Sequence, residues 1–74
     1  MKNIINLMGI YGTVTVDMDE IGVDCTTESN YTNCVNQLIN MGYTVNSVDD
    51  SDGVTTFVIN DILIQISEPY RDDI

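Results

Sequence analysis

Histidine and tryptophan are absent from these 74 residues, and Lys and Arg together number two. Each absence closes a class of chemistry. Without His the chain lacks the commonest general base and the imidazole metal ligand. Lys2 and Arg71 are too few for the basic, aromatic-lined patch by which proteins hold nucleic acid. Proline occurs once, at Pro69, where it ends the last extended segment. No apolar run approaches membrane-spanning length. The opening MKNIINLMGIYG has one cation and an apolar run broken by Asn3 and Asn6, so it does not read as a secretory leader. Cys25 and Cys34 lack the C-x-x-C spacing of a redox motif and are too few for a zinc site. The expectation is a cytoplasmic, reduced protein whose two thiols are small buried side chains.

What the chain has in excess is negative charge. Twelve Asp and Glu set the net charge at −10, while a hydrophobic content of 43% argues for a folded chain rather than a disordered one. Eight Asn stand beside one Lys, which points to Lys being depleted for its charge. Such a surface disfavours direct contact with nucleic acid or anionic membranes and favours cations and basic protein grooves. The length fits one domain, 1–74, whose core is marginal without a staple, a metal or a partner.

The clearest periodicity predicts a helix over 28–41. Tyr31, Cys34, Val35, Leu38 and Ile39 form its apolar stripe, Thr26 or Thr27 caps it, and Gly42 stops it. Its other face, Thr32, Asn33, Asn36, Gln37 and Asn40, is polar and uncharged. From Tyr43 onward the period is two, predicting strands at 43–48, 54–59 and 62–67. A two-residue turn at Asn60-Asp61 places Ile59 opposite Ile62, Phe57 opposite Ile64 and Thr55 opposite Ile66. Setting Val48 opposite Val54 then brings Tyr43, Val45, Phe57, Ile59, Ile62, Ile64 and Ile66 to one face. Residues 13–18 and 21–25 read as a hairpin turning at Asp19-Glu20, with Val16 opposite Val23 and Met18 opposite Ile21. Residues 3–11 read as a strand or irregular arm, because Gly9 and Gly12 punctuate them. The alternative is a short helix with Ile4, Leu7, Met8 and Tyr11 on one stripe. The expected fold is α+β, in the order ββαβββ: one amphipathic helix on one face of an antiparallel sheet, with 68–74 as an acidic tail.

Two acidic clusters carry the candidate chemistry. DDSDG (49–53) matches an EF-hand loop at Asp50, Asp52 and Gly53, but Val48 and Ile59 occupy its first and twelfth positions, so the stretch reads as a hairpin loop. Asp17, Asp19 and Glu20, with Asp24 across the hairpin, read as a solvated face rather than an acid–base pair. GIYG (9–12) lacks the Lys and hydroxyl of a P-loop. No catalytic set, metal site or cofactor motif is present, and a non-enzymatic role is expected. Of the possible interface anchors Tyr11, Met41, Phe57 and Tyr70, Phe57 belongs to the core and Tyr70 to the tail.

These features point to a protein–protein interaction module. Its expected partner-binding residues are Asp17, Asp19, Glu20, Asp24, Asp49, Asp50 and Asp52, imitating a nucleic-acid backbone in a basic groove. Alternate residues of a strand lie about 6.8 Å apart, a workable stride for copying phosphates, and Asp17 and Asp19 have that spacing in sequence. The alternative is an accessory subunit that binds through a sheet edge or the uncharged helix face. In size, acidity and lack of catalytic apparatus the chain resembles small phage-encoded inhibitors of host defence, the anti-CRISPR and anti-restriction proteins. The resemblance covers general character, so no residue is carried over from it. It implies a CRISPR effector or a restriction enzyme as partner.

Overall fold

The computed structural model describes residues 1–69; the expected tail from Tyr70 onward, Arg71 included, lies outside the described residues. Seven elements follow one another: α1 (Lys2–Tyr11), β1 (Gly12–Val16), β2 (Glu20–Cys25), α2 (Glu28–Asn40), β3 (Val45–Asp49), β4 (Val54–Ile59) and β5 (Ile62–Ser67). The strands form one sheet in the order β1-β2-β5-β4-β3, antiparallel except where β2 runs parallel to β5. The expected α+β fold is present, with a second helix ahead of it.

The second half follows the sequence closely. Asn60 and Asp61 both take positive φ, 52° and 64°, so the turn is the primed type that matches strand twist. Thr55↔Ile66, Phe57↔Ile64 and Ile59↔Ile62 are paired as expected. Val45 pairs with Phe57, but a bulge between Val45 and Ser47 shifts the rest of β3. Val48 therefore meets Thr55 rather than Val54, and Tyr43 stays outside the strand, half-buried against the core.

In α2 the Thr27 hydroxyl accepts the Asn30 N–H at 3.0 Å, and Gly42, at φ 97°, ends the helix region. Cys34 and Leu38 are buried, and Tyr31 and Val35 are half-buried. Ile39, expected on the packing face, is 45% exposed because it lies past the edge of the buried stripe. The Tyr31 hydroxyl bonds that of Thr55, the one buried polar side chain among the described residues.

The first quarter differs from expectation. Residues 2–11 are helix, with Ile4 and Met8, one turn apart, facing the core. Geometry explains why. Five strands about 4.8 Å apart span roughly 19 Å, whereas one helix covers about 10 Å. α1 covers β1 and β2; α2 covers β2 and β5. Val48, on β3 at the far edge, is beyond both and 57% exposed. The first hairpin also takes a different register from the predicted one. Val14↔Val23 and Val16↔Ile21 are its pairs, and its tip is Met18-Asp19 rather than Asp19-Glu20. Met18 is accordingly 98% exposed.

Both helices lie on one face of the sheet. Ile21, Val23, Cys25, Phe57, Ile59, Ile64 and Ile66 point into them. No described element covers the other face.

Candidate functional site

Strand direction sorts the acids by position. β2 and β5 start at the same end, where the β1–β2 turn carries Asp17 and Asp19, β2 opens with Glu20, and the β4–β5 turn carries Asp61. The Asp19 carbonyl accepts the Leu63 N–H at 3.1 Å, joining the first turn to the start of β5. At the other end lie Asp49 at the end of β3, Asp50 and Asp52 in the β3–β4 loop, Glu68 just after β5, and Glu28 at the start of α2. The two groups predicted to bind a partner are thus separated by a strand of six residues, roughly 17 Å. Asp24 lies four residues along β2 from Glu20, about 13 Å nearer the second group.

Asp17 and Asp19 do not form the expected stride. The Asp17 N–H bonds the Glu20 carbonyl at 2.7 Å and closes the ladder, while Asp19 sits in the tip. The two are therefore not alternate residues of one extended strand. Asp50 and Asp52 lie in a compact loop organised by Asp49. One Asp49 carboxylate oxygen accepts the N–H groups of Ser51 at 3.1 Å and Asp52 at 3.2 Å. The Asp49 carbonyl accepts Gly53 N–H at 2.8 Å. DDSDG is thus a loop built by its first Asp and its last Gly (φ 66°). Glu68 folds over Gly53, its N–H donating to the Gly53 carbonyl at 2.8 Å. Among the described residues no three His, Cys, Asp or Glu converge as a metal requires.

What the structure does bring together is a depression on the open sheet face, about 200 Å³ in volume. Its floor is Gly22 on β2, flanked on the same strand by Glu20 and Asp24. Asp17 closes one end, and Thr15, Gln65 and Ser67 form the sides. Three of the seven predicted partner-binding residues share this depression, Glu20 and Asp24 because alternation along β2 sends residues 20, 22 and 24 to the open face. Asp19 sits exposed in the tip. Across β4 and β3 the same face continues as Thr56, Asn46 and Ser47, linked through their side chains. The uncharged row Asn33, Asn36, Gln37 and Asn40 is exposed on α2, on the other side of the sheet.

Asp61 and Glu68 were not among the predicted partner-binding residues. Asp61 is legible only as a turn residue, and its place at the same end of the sheet as Asp19 depends on the parallel β2–β5 pairing, which no local pattern announces.

Comparison with protein-family models, curated proteins and solved structures finds no match for this chain. No described helix is long and apolar enough to cross a membrane.

Proposed function

We propose that this chain is a non-catalytic interaction protein. It docks through the open face of its sheet onto a basic surface of a partner protein and occupies a groove that otherwise holds nucleic acid. One observation carries the reading: the uncovered face gathers Asp17, Glu20 and Asp24 around Gly22, with no Lys or Arg among the described residues beside them. Lys2 is the one Lys or Arg among the described residues, and it sits on α1, across the sheet. Gly22 leaves the depression without a side chain at its centre, so an Arg or Lys stem can lie along β2 with its head among the carboxylates. Each exposed pair contributes little, but the summed field steers a basic partner and speeds encounter. A phage-type inhibitor of a CRISPR effector or a restriction enzyme, acting in the host cytoplasm, fits this chemistry.

A second reading has its own observation. The uncharged row on α2 is flanked by exposed Ile39 and Met41, a surface suited to an accessory subunit's contact. One experiment separates the two. The immobilised protein captures partners from lysate at low salt, and bound material is challenged with double-stranded DNA and with rising salt. A mimic's partner is released by both. The partner is then tested against Asp17→Asn/Glu20→Gln/Asp24→Asn and against Asn33→Ala/Asn36→Ala/Asn40→Ala. The expected result is slower association and a flatter salt dependence for the first variant alone. Capture that ignores DNA and salt, and is lost only in the second variant, replaces the proposal with the accessory-subunit reading.

A further inference from the structure

The sheet has two edges, β1 and β3, and they differ. β3 is interrupted by the bulge between Val45 and Ser47 and ends on Asp49, two devices that keep an edge from pairing. β1 has neither. Its residues GTVTV hold no charge and no proline, and all five pair with β2 in unbroken register. The Asp17 N–H bonds the Glu20 carbonyl, and the Tyr11 carbonyl accepts the Thr26 N–H, so odd-numbered residues from 11 to 17 turn their backbone groups to β2. By alternation Val14 and Val16 turn their N–H and carbonyl groups outward, where no described strand meets them. The side chains along this edge lack cover too. Val16, paired with buried Ile21, lies on the helix side of the sheet and is still 59% exposed. On the open side Thr15 is paired with Gly22, and Asp17, Glu20 and Asp24 line the depression around that pair.

We infer that an extended segment of the partner, alternating basic and apolar residues, adds to β1 as a sixth strand, an assignment that rests on the open-face docking proposed above. The segment's backbone bonds the outward groups of Val14 and Val16. Its apolar side chains fall over Val16. Its basic side chains fall beside Thr15, and the short Thr15 and the bare Gly22 leave a path across the sheet to the carboxylates. The added strand lies two strand spacings, about 10 Å, from β2. A Lys or Arg stem, with the carboxylate that meets it, spans that gap. Charge selects this occupant over a second copy of the chain, because β1 of another molecule brings no cation and its body adds a further −10.

The test uses two blocked peptides of equal composition, one alternating Lys and Val, the other with all its Lys at one end. Each is titrated into the whole protein at low salt, and affinity, backbone amide shifts and amide hydrogen exchange are read by NMR. The alternating peptide should bind roughly tenfold more tightly, the worth of one or two hydrogen bonds. It should slow exchange at Val14 and Val16, and added salt should weaken it. Val16→Pro removes one outward N–H without changing charge and should abolish the alternating peptide's advantage. If the proline disturbs the β1–β2 ladder, the wild-type exchange pattern decides alone. Salt-sensitive binding that shifts Glu20, Gly22 and Asp24 but leaves Val14 and Val16 unprotected overturns the edge inference and leaves the open-face docking standing. Protection of Val14 and Val16 that ignores salt and persists in Asp17→Asn/Glu20→Gln/Asp24→Asn overturns both. Slow exchange at Val14 and Val16 in the free protein, growing with concentration alongside a dimer in size-exclusion chromatography, gives the edge to a second copy and overturns the inference. So does the failure of both peptides to bind.

Discussion

A β-carbon placed on Gly12 would stand 2.1 Å from the Asp24 carbonyl oxygen, far inside contact distance. Gly12 has φ 179°, ordinary extended backbone, so the demand for glycine comes from close approach and not from conformation. α1 passes into β1 there with no linker, and the chain must lie hard against β2. Gly12→Ala should destabilise by about 3 kcal/mol, since backbone cannot yield as a side chain can. Gly9, inside α1 with nothing within 4 Å of its would-be β-carbon, should behave oppositely. Gly9→Ala should stabilise by about 0.5–1 kcal/mol. Urea denaturation of the two variants checks the pair, and similar effects from both would show the α1–β1 corner to be misplaced. The thiols supply a pH prediction at the same scale. Burial raises both; Cys34, also opposed by charge on Cys25 and by their hydrogen bond, is pushed up to about 12. Asp24 adds to the rise at Cys25. A folded pKa above the unfolded value of 9.0 means that the unfolded chain loses its protons first. The thiols' contribution is therefore complete below about pH 9 and declines as pH climbs towards 12. Melting temperature should fall more steeply above pH 9 in the wild type than in Cys25→Ala/Cys34→Ala, and parallel slopes would deny the effect.

Among the elements, α2 shows how far periodicity reaches. Leu38 is fully buried and Ile39, its neighbour, is 45% exposed, although both fell on the predicted stripe. Leu38→Ala should cost about 2–5 kcal/mol and Ile39→Ala under about 1 kcal/mol. Equal losses in thermal melts would mean that the helix is rotated from its described position. The β4–β5 hairpin was legible because Asn60-Asp61 fixes the register locally and a slip would move every apolar residue to solvent. β3 was legible only up to Val45, because a bulge adds a residue that alternation cannot foresee. α1 departs from the expected strand or irregular arm because the need to cover a wide sheet, which no local pattern carries, outweighs the punctuation at Gly9 and Gly12. Gly9 faces open space and Gly12 lies just past the helix, so neither breaks it. The first hairpin's register missed by two residues, which preserved the inward face of Ile21, Val23 and Cys25 while misplacing Met18. The parallel β2–β5 contact arises from where the chain returns after β3 and β4. That same contact decides which acids become neighbours, so half of the candidate site depended on information no local window holds.

At the scale of the whole molecule the decisive quantity is charge, and composition gave its sum but not its distribution. Ten of the twelve acids lie in the described residues, at both ends of the sheet and along its open face. Strand direction sets Asp17, Asp19 and Glu20 at one end of the sheet and Asp49, Asp50 and Asp52 at the other, with Asp24 along β2 between them. The result is an elongated negative field with the Gly22 depression near its middle. The same field acts on the fold. Like charges at both ends repel through a small body, and the repulsion is relaxed when the chain unfolds and its charges separate. Added sodium chloride should therefore raise the melting temperature by a few degrees up to roughly 0.15–0.3 M, where the screening length falls below the spacing of the acids. Asp50→Asn/Asp52→Asn/Asp61→Asn, which spares Asp49 and its loop bonds, removes charge from both ends. This variant should melt higher than wild type in low salt and gain less from added salt. The comparison is informative because neither change touches the core. If the wild type melts lower as salt rises, net attraction rather than repulsion dominates its surface, and the field proposed to steer a basic partner loses its physical basis.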